Sequence, residues 1–210
     1  MLMSKNQTLS PFHRYMIDLG LSPIHISSAP NSDSSLMVLK IIQEKLVNGD
    51  KVIWLTREIP DSRKISNILG HVESSFLDKL VVIEFGVNLK EKIDEIKSIL
   101  VNMHENDLLV IEQWCKNYGR TQKEDIDLMK KLVDNQDKYK IVITSNSYED
   151  ASGKKRGFMG MMSRGGKIIQ EAFTTVWISK IENQYQKVLI FDGGKESVIE
   201  YTNNGYRVIN

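Results

Sequence analysis

Residues 24–35 read Ile-His-Ile-Ser-Ser-Ala-Pro-Asn-Ser-Asp-Ser-Ser, and an apolar stripe at Leu36, Leu39, Ile42 and Leu46 follows at once. The apolar opening predicts a strand, the Ser, Pro, Asn and Asp residues a tight loop, and the 3.6-residue period a helix over Ser34–Val47. Asn48-Gly49 supplies the helix stop. A strand that passes through a short loop straight into a helix is the opening unit of an open parallel sheet. In such sheets ligands gather at the carboxyl ends of the strands.

The pattern continues downstream. Lys51–Thr56, Leu80–Phe85, Leu108–Ile111 and Lys140–Thr144 are compact β-branched runs that suit buried parallel strands. Between them, Asn88-Leu-Lys-Glu91 has the form of a capping box, with Leu89, Ile93, Ile96, Leu100 and Met103 on one helical face. Ile126, Met129, Leu132 and Val133 mark another helix. The last third changes character. Thr174–Ser179, Lys187–Phe191, Ser197–Tyr201 and Arg207–Ile209 predict strands joined by polar turns at Asp192-Gly193-Gly194 and Asn203-Asn204-Gly205. The expected fold is an α/β sandwich, a mostly parallel sheet between helices with antiparallel C-terminal hairpins. No repeat or linker divides the chain, so residues 1–210 are expected to form a single domain, with residues 1–10 as a flexible lead.

The 210 residues include 28 Lys and Arg against 27 Asp and Glu, a net charge of +1. That balance gives no global field for nucleic acid or anionic lipid, so contact with either must come from a local patch. A single cysteine, Cys115, excludes a disulfide framework and a cysteine-based zinc site, and reads as a buried small hydrophobe rather than a nucleophile. The four histidines are too scattered for a metal site, and the aliphatic runs are too short to span a bilayer. Residues 1–20 lack a signal peptide's apolar core. A cytoplasmic location without membrane contact is expected.

The loop after the first strand stands where a Walker A motif, G-x-x-x-x-G-K-[ST], would cradle phosphates. Ser28 occupies the first glycine position, Asp33 the second and Ser34 the lysine position, and only Ser35 keeps the hydroxyl expected of a Mg²⁺ ligand. Asn31 retains the capacity for a left-handed turn. Asp33 would place a carboxylate against an incoming anion. Two unit charges about 4 Å apart interact by about 4 kcal/mol at an effective dielectric of about 20, roughly a thousandfold in affinity if uncompensated. The plainer reading is that Asp33 or Ser34 caps the helix.

Residues 151–167, Ala-Ser-Gly-Lys-Lys-Arg-Gly-Phe-Met-Gly-Met-Met-Ser-Arg-Gly-Gly-Lys, carry Lys154, Lys155, Arg156, Arg164 and Lys167 and no acidic residue. Setting aside these five cations leaves 23 basic against 27 acidic residues, a balance of −4, so the charge is segregated. A cationic glycine-rich segment with Phe158 for stacking suits single-stranded nucleic acid. Its methionines also suit a peptide or protein partner. The plain alternative is a solvated connecting loop.

Taken in order, these features resemble the RecA-like recombinase core, a P-loop NTPase fold, in the form of archaeal RadA/RadB-type recombinases and their short paralogues. Leu19–Ile26 resembles that family's Gly-rich lead-in to its first strand, and Trp54-Leu-Thr-Arg-Glu58 a strand ending in a catalytic glutamate. Asp107–Glu112 resembles a Walker B strand with Glu112 in place of Asp, and Ile143–Asn146 puts Asn146 at a sensor position. Asn117-Tyr-Gly-Arg120 falls at the first DNA-binding loop and residues 151–167 at the second. Gly165-Gly166, Thr175–Lys180 and Tyr201–Gly205 resemble the closing hairpins. The resemblance implies Glu58, Glu112 and Asn146 as counterparts of family site residues, and Arg120 as a DNA contact. Family members hydrolyse ATP with a Walker lysine, and this chain has none there. The expectation is therefore a non-catalytic paralogue assisting DNA recombination or repair, with no cofactor or only weak ATP and Mg²⁺ binding. Its partners would be single-stranded DNA, a true recombinase or a peptide. An ATPase with an atypical loop, its lysine supplied from elsewhere, is the first alternative, and a purely protein-binding regulator the second. Filament formation through a Phe-x-x-Ala linker motif is not expected.

Overall fold

A computed structural model of the chain describes residues 16–30, 32–134, 138–150, 157–181, 184–202 and 205–209. After a 3-10 turn at Leu19–Leu21, β1 (Ile24–Ser28) leads through the loop into α1 (Ser35–Val47). Next come β2 (Val52–Thr56), α2 (Ser62–Leu69) and the single-turn α3 (Ser74–Leu77). β3 (Leu80–Glu84) is followed by α4 (Leu89–Glu95) and α5 (Lys97–Val101), and β4 (Leu108–Glu112) by α6 (Lys123–Val133). β5 (Lys140–Asn146) runs into a two-stranded ribbon of β6 (Tyr148–Glu149) and β7 (Met161–Met162), after which α7 (Gly166–Ala172) packs. β8 (Thr174–Ile181), β9 (Gln184–Asp192), β10 (Lys195–Thr202) and β11 (Gly205–Ile209) complete the chain.

Among the described residues, nine strands form one sheet in the order β11-β10-β9-β8-β1-β5-β4-β2-β3. From β3 to β8 neighbours are parallel, and from β8 to β11 antiparallel. Every residue of β1, β2 and β4 is buried. Side chains alternate between the two faces and both faces are covered, so these strands are apolar except for His25, Ser27, Ser28, Thr56 and Glu112. Ile24, Ile26, Trp54 and Val110 face one core, shared with α1, while Ile53, Leu55, Leu109 and Ile111 face a second, shared with α4–α7. Met37, Val38, Leu39, Ile41, Ile42 and Leu46 anchor α1, each such side chain contributing roughly 1.5–3 kcal/mol by leaving water. No helix among the described residues is long and apolar enough to cross a membrane.

Three local expectations need correction. Leu80–Phe85 reads as a fully buried strand, yet β3 lies at the sheet edge with only β2 beside it, and Val82 stays 41% exposed. An apolar run shows that a strand is covered, not on how many sides. The helix after Asn88 is interrupted at Ile96, which leaves helical geometry and splits it into α4 and α5. Asn88 makes no side-chain capping bond there. Residues 157–167, read as a loop, hold β7 and the start of α7. Gly165 makes this turn possible: its φ of +80° is left-handed, and a Cβ there would collide with Ile169.

Candidate functional site at the carboxyl edge of the sheet

The loop between β1 and α1 is closed by its own neighbours. Asp33 Oδ1 accepts a hydrogen bond from Ser35 N at 2.9 Å and so satisfies a first-turn amide of α1. Ser34 precedes the helix but makes no side-chain cap. Asp33 Oδ2 accepts from Lys64 Nζ of α2, and the Tyr201 hydroxyl of β10 donates to the Asp33 carbonyl at 2.7 Å. Burial pushes the Asp33 carboxyl up, but the bonds from Lys64 and Ser35 outweigh it and leave its pKa below the ordinary value. The lysine missing from the loop is thus matched by one arriving from α2, and the repulsion expected of Asp33 is compensated.

Beneath the loop, Ser35 Oγ donates to Glu112 Oε1 at 2.8 Å, and Trp54 Nε1 donates to Glu112 Oε2 at 3.1 Å. Thr56 Oγ1 lies 3.4 Å from Glu112 Oε2 and 2.7 Å from the Glu58 carbonyl. Burial raises the Glu112 carboxyl pKa, the Ser35 and Trp54 donors oppose the rise, and the nearby Asp33 charge adds to it. Gln113, the next residue, takes a left-handed φ of 54°, held by Thr144 Oγ1 on its amide and Arg57 Nε on its carbonyl. The buried hydroxyls of Ser28 and Ser32 have no hydrogen-bond partner among the described residues.

A second concavity opens beside the loop. Arg120, Tyr148, Arg164, Gly166, Lys167 and Ile168 line a cleft of about 590 Å³ between the β4–α6 connection and the ribbon–α7 segment. Arg120 is exposed, and Lys167 is exposed with only a surface ion pair to Glu171 at 3.4 Å. Arg164 differs. It is 5% exposed, and its guanidinium donates to the carbonyls of Asn117 and Gly119, and to that of Asn146 at 3.3 Å. It also lies 5.1 Å from the Tyr148 ring centroid. Expected as a free cation, Arg164 is instead the brace that ties the 117–120 segment to the end of β5. Phe158 likewise stacks on Trp177, with centroids 5.6 Å apart, so one face of its ring is taken by the protein.

No protein-family model matches the sequence, and no curated protein matches it. Solved structures do match. A RadB recombinase superposes with a TM-score of 0.62 at 10% identity, covering 89% of this chain and 90% of that one. A KaiC-like protein from the hyperthermophilic archaeon Pyrococcus horikoshii OT3 gives 0.61 at 15%, covering 89% and 88%. A DnaB-like replicative helicase, solved with its primase interactions, gives 0.55 at 9%, covering 87% of this chain and 56% of that one. The chain has the RecA-like fold.

On the RecA-like sheet, Ser28, Glu112 and Asn146 all lie at strand ends, with Ser28 in register with Asn146 and Thr56 with Glu112. Glu58 lies beyond β2 and is exposed, whereas Glu112 is buried. Asn31, Lys154, Lys155 and Arg156 lie outside the described residues. Cys115 is buried, which pushes its thiol up to about 12 and leaves it unreactive. Sequence reasoning missed Lys64, Tyr148 and Tyr201. Lys64 meets Asp33 across 31 residues and Tyr201 meets it across 168, and no spacing rule links such positions. Tyr148 had one usable signal, an aromatic two residues past a strand end.

Proposed function

We propose that this RecA-like chain serves DNA recombination or repair by holding single-stranded nucleic acid, and that it does not hydrolyse ATP. The cleft carries the reading. Arg120, Tyr148 and Lys167 line one concavity at the carboxyl edge of the sheet, which joins two exposed cations to an aromatic ring that carries Arg164 on one face and is 40% exposed. Cations neutralise phosphates whatever the sequence, and aromatic rings stack on bases, each worth about 1–3 kcal/mol. The segment Lys154-Lys155-Arg156 lies close in sequence to both Tyr148 and Lys167 and adds charge of the same sign.

The strand-end loop supports the second half of the reading. A Mg·ATP site requires a hydroxyl free to bind the metal and a cation free to meet the terminal phosphates. Here the Ser35 hydroxyl donates to a carboxyl that burial drives toward its neutral form, and Lys64 is paired with Asp33. These residues do not fit Mg·ATP.

One observation favours a second reading, a nucleotide-binding protein. Lys64 brings a cation to a loop that carries no lysine, and the Ser28 and Ser32 hydroxyls lack partners among the described residues. A phosphate that displaced Asp33 would pair with Lys64 in its place.

Fluorescence anisotropy with a labelled thymidine oligonucleotide tests the first reading. Arg120→Ala and Lys167→Ala are each expected to weaken binding and to lower the slope of log affinity against log salt by about 0.7. No binding at low salt rejects the nucleic-acid role. Calorimetric titration with Mg·ATP separates the readings: binding that disappears in Lys64→Ala establishes the nucleotide alternative.

A further inference from the structure

A groove distinct from the cleft runs between α4–α5 and α6. Its floor is apolar, built from Ile93, Leu100, Leu128, Leu132 and Tyr139, and its volume is about 260 Å³. Val101 forms part of the lining and is 66% exposed. Lys90, Lys97, Lys131 and Lys138 surround this floor, with Asp94 as the acidic residue in the lining. Four cations against one anion give the groove a local charge of +3, whereas the chain outside residues 151–167 carries −4. The lining itself is therefore net cationic over an apolar floor, with Lys97 paired to Asp94 at 4.0 Å.

We infer that this groove docks an acidic amphipathic helix of a partner protein. Charge complementarity selects the partner's acidity, since Lys90 and Lys138, beside the Lys97–Asp94 pair, ring an uncharged floor and favour an anionic occupant over a basic one. The floor selects its apolar face. At about 260 Å³ the groove falls just below the roughly 300–1,000 Å³ of small-molecule pockets, room for one or two bulky anchors from a helix laid along it. Leu, Ile or Phe anchors at i and i+4 would enter between the helices while Asp and Glu on the flanks meet the lysines. Single-stranded nucleic acid would satisfy the lysines but leave the aliphatic floor unused, because its bases stack on exposed aromatic faces and Tyr139 is only 2% exposed. α6 links this groove to the cleft: Ile126 lines the cleft, and Leu128 and Leu132 line the groove.

The test uses the full chain and a fluorescein-labelled helical peptide with Leu and Phe at i and i+4 and Glu or Asp on the flanks. Binding is expected to weaken with salt and to fall at least about tenfold, or roughly 1.4 kcal/mol, in Val101→Asp and in the double variant Lys90→Glu/Lys97→Glu. Neither variant touches the cleft, so oligonucleotide binding should be unchanged in both; the melt should be unchanged in Val101→Asp and fall slightly in the double variant, which loses the exposed Lys97–Asp94 pair. The inference therefore stands or falls separately from the nucleic-acid reading. It is overturned if a peptide with Gln replacing every Glu and Asp binds equally well, or if Val101→Asp binds as the wild type does. It is also overturned if the oligonucleotide competes the peptide away, which marks a phosphate patch. A self-association that Val101→Asp dissolves makes the occupant a second copy and overturns it as well.

Discussion

Replacing Arg164 with alanine should loosen the cleft as a whole rather than simply remove one positive charge from it. Its guanidinium donates to the carbonyls of Asn117 and Gly119, makes a longer bond of 3.3 Å to that of Asn146, and packs on Tyr148. A hydrogen bond from a charged donor contributes about 1.5–3 kcal/mol net. Two such bonds at the lower end, with the longer bond and the ring contact added, give a loss of about 3–4 kcal/mol. Water can reach carbonyls at the cleft wall, which is why the lower end applies. For a chain of this size each kcal/mol shifts the melting temperature by about 2–4 °C, so the expected fall is roughly 6–16 °C. Arg164→Lys keeps the charge but not the planar fork, and should recover less than half of it. The assay is a thermal melt followed by circular dichroism, with oligonucleotide anisotropy on the same samples. Both readouts should fall together in Arg164→Ala. A melting temperature within about 1 °C of wild type, combined with lost oligonucleotide binding, would refute the brace and return Arg164 to the role of a direct nucleic-acid contact.

Two further outcomes follow from buried titratable groups. His25 is fully buried against Ser145, with a 2.8 Å contact from Nε2 to Oγ, and burial lowers its pKa to about 3. A base whose pKa is depressed on folding stabilises the fold fully above its ordinary value. That stability is lost as pH falls from about 6.5 toward about 3, at about 1.4 kcal/mol per pH unit. The urea midpoint of the wild type should therefore drop more steeply over this window than that of His25→Leu; parallel curves would show that His25 does not titrate with folding. Glu112 has the opposite sign for an acid: its raised pKa makes the fold lose stability as pH rises above the ordinary carboxyl range. Gln at this position can accept from Trp54 with its oxygen and donate to Ser35 with its amide. Glu112→Gln should then melt at or above the wild-type temperature at pH 8, with the advantage shrinking toward pH 4, and a larger deficit at pH 8 than at pH 5 would contradict this.

Much of the RecA-like fold was legible in the sequence because strand and helix periodicities are local properties. The runs KVIWLT and KIVIT are apolar at every alternate position and beyond, so they had to be covered on both faces, and β2 and β5 are. The polar stretches Asp192-Gly193-Gly194 and Asn203-Asn204-Gly205 likewise predicted hairpins, and β9–β10 and β10–β11 pair antiparallel. Even the helix cap at Asp33 was readable, since it spans two residues. Partnership between distant side chains was not. Ser35 meets Glu112 across 77 residues and Lys64 meets Asp33 across 31, and both contacts depend on which strands lie side by side. The same holds for the cations. Arg164, Lys167 and Arg120 look alike in the sequence, but the packing of the 117–120 segment buries the first and leaves the other two exposed. Residue type and spacing set which groups the chain carries and where the strands begin. Whether a serine, a lysine or an arginine is free to meet a ligand was decided only when the sheet order brought its partner alongside.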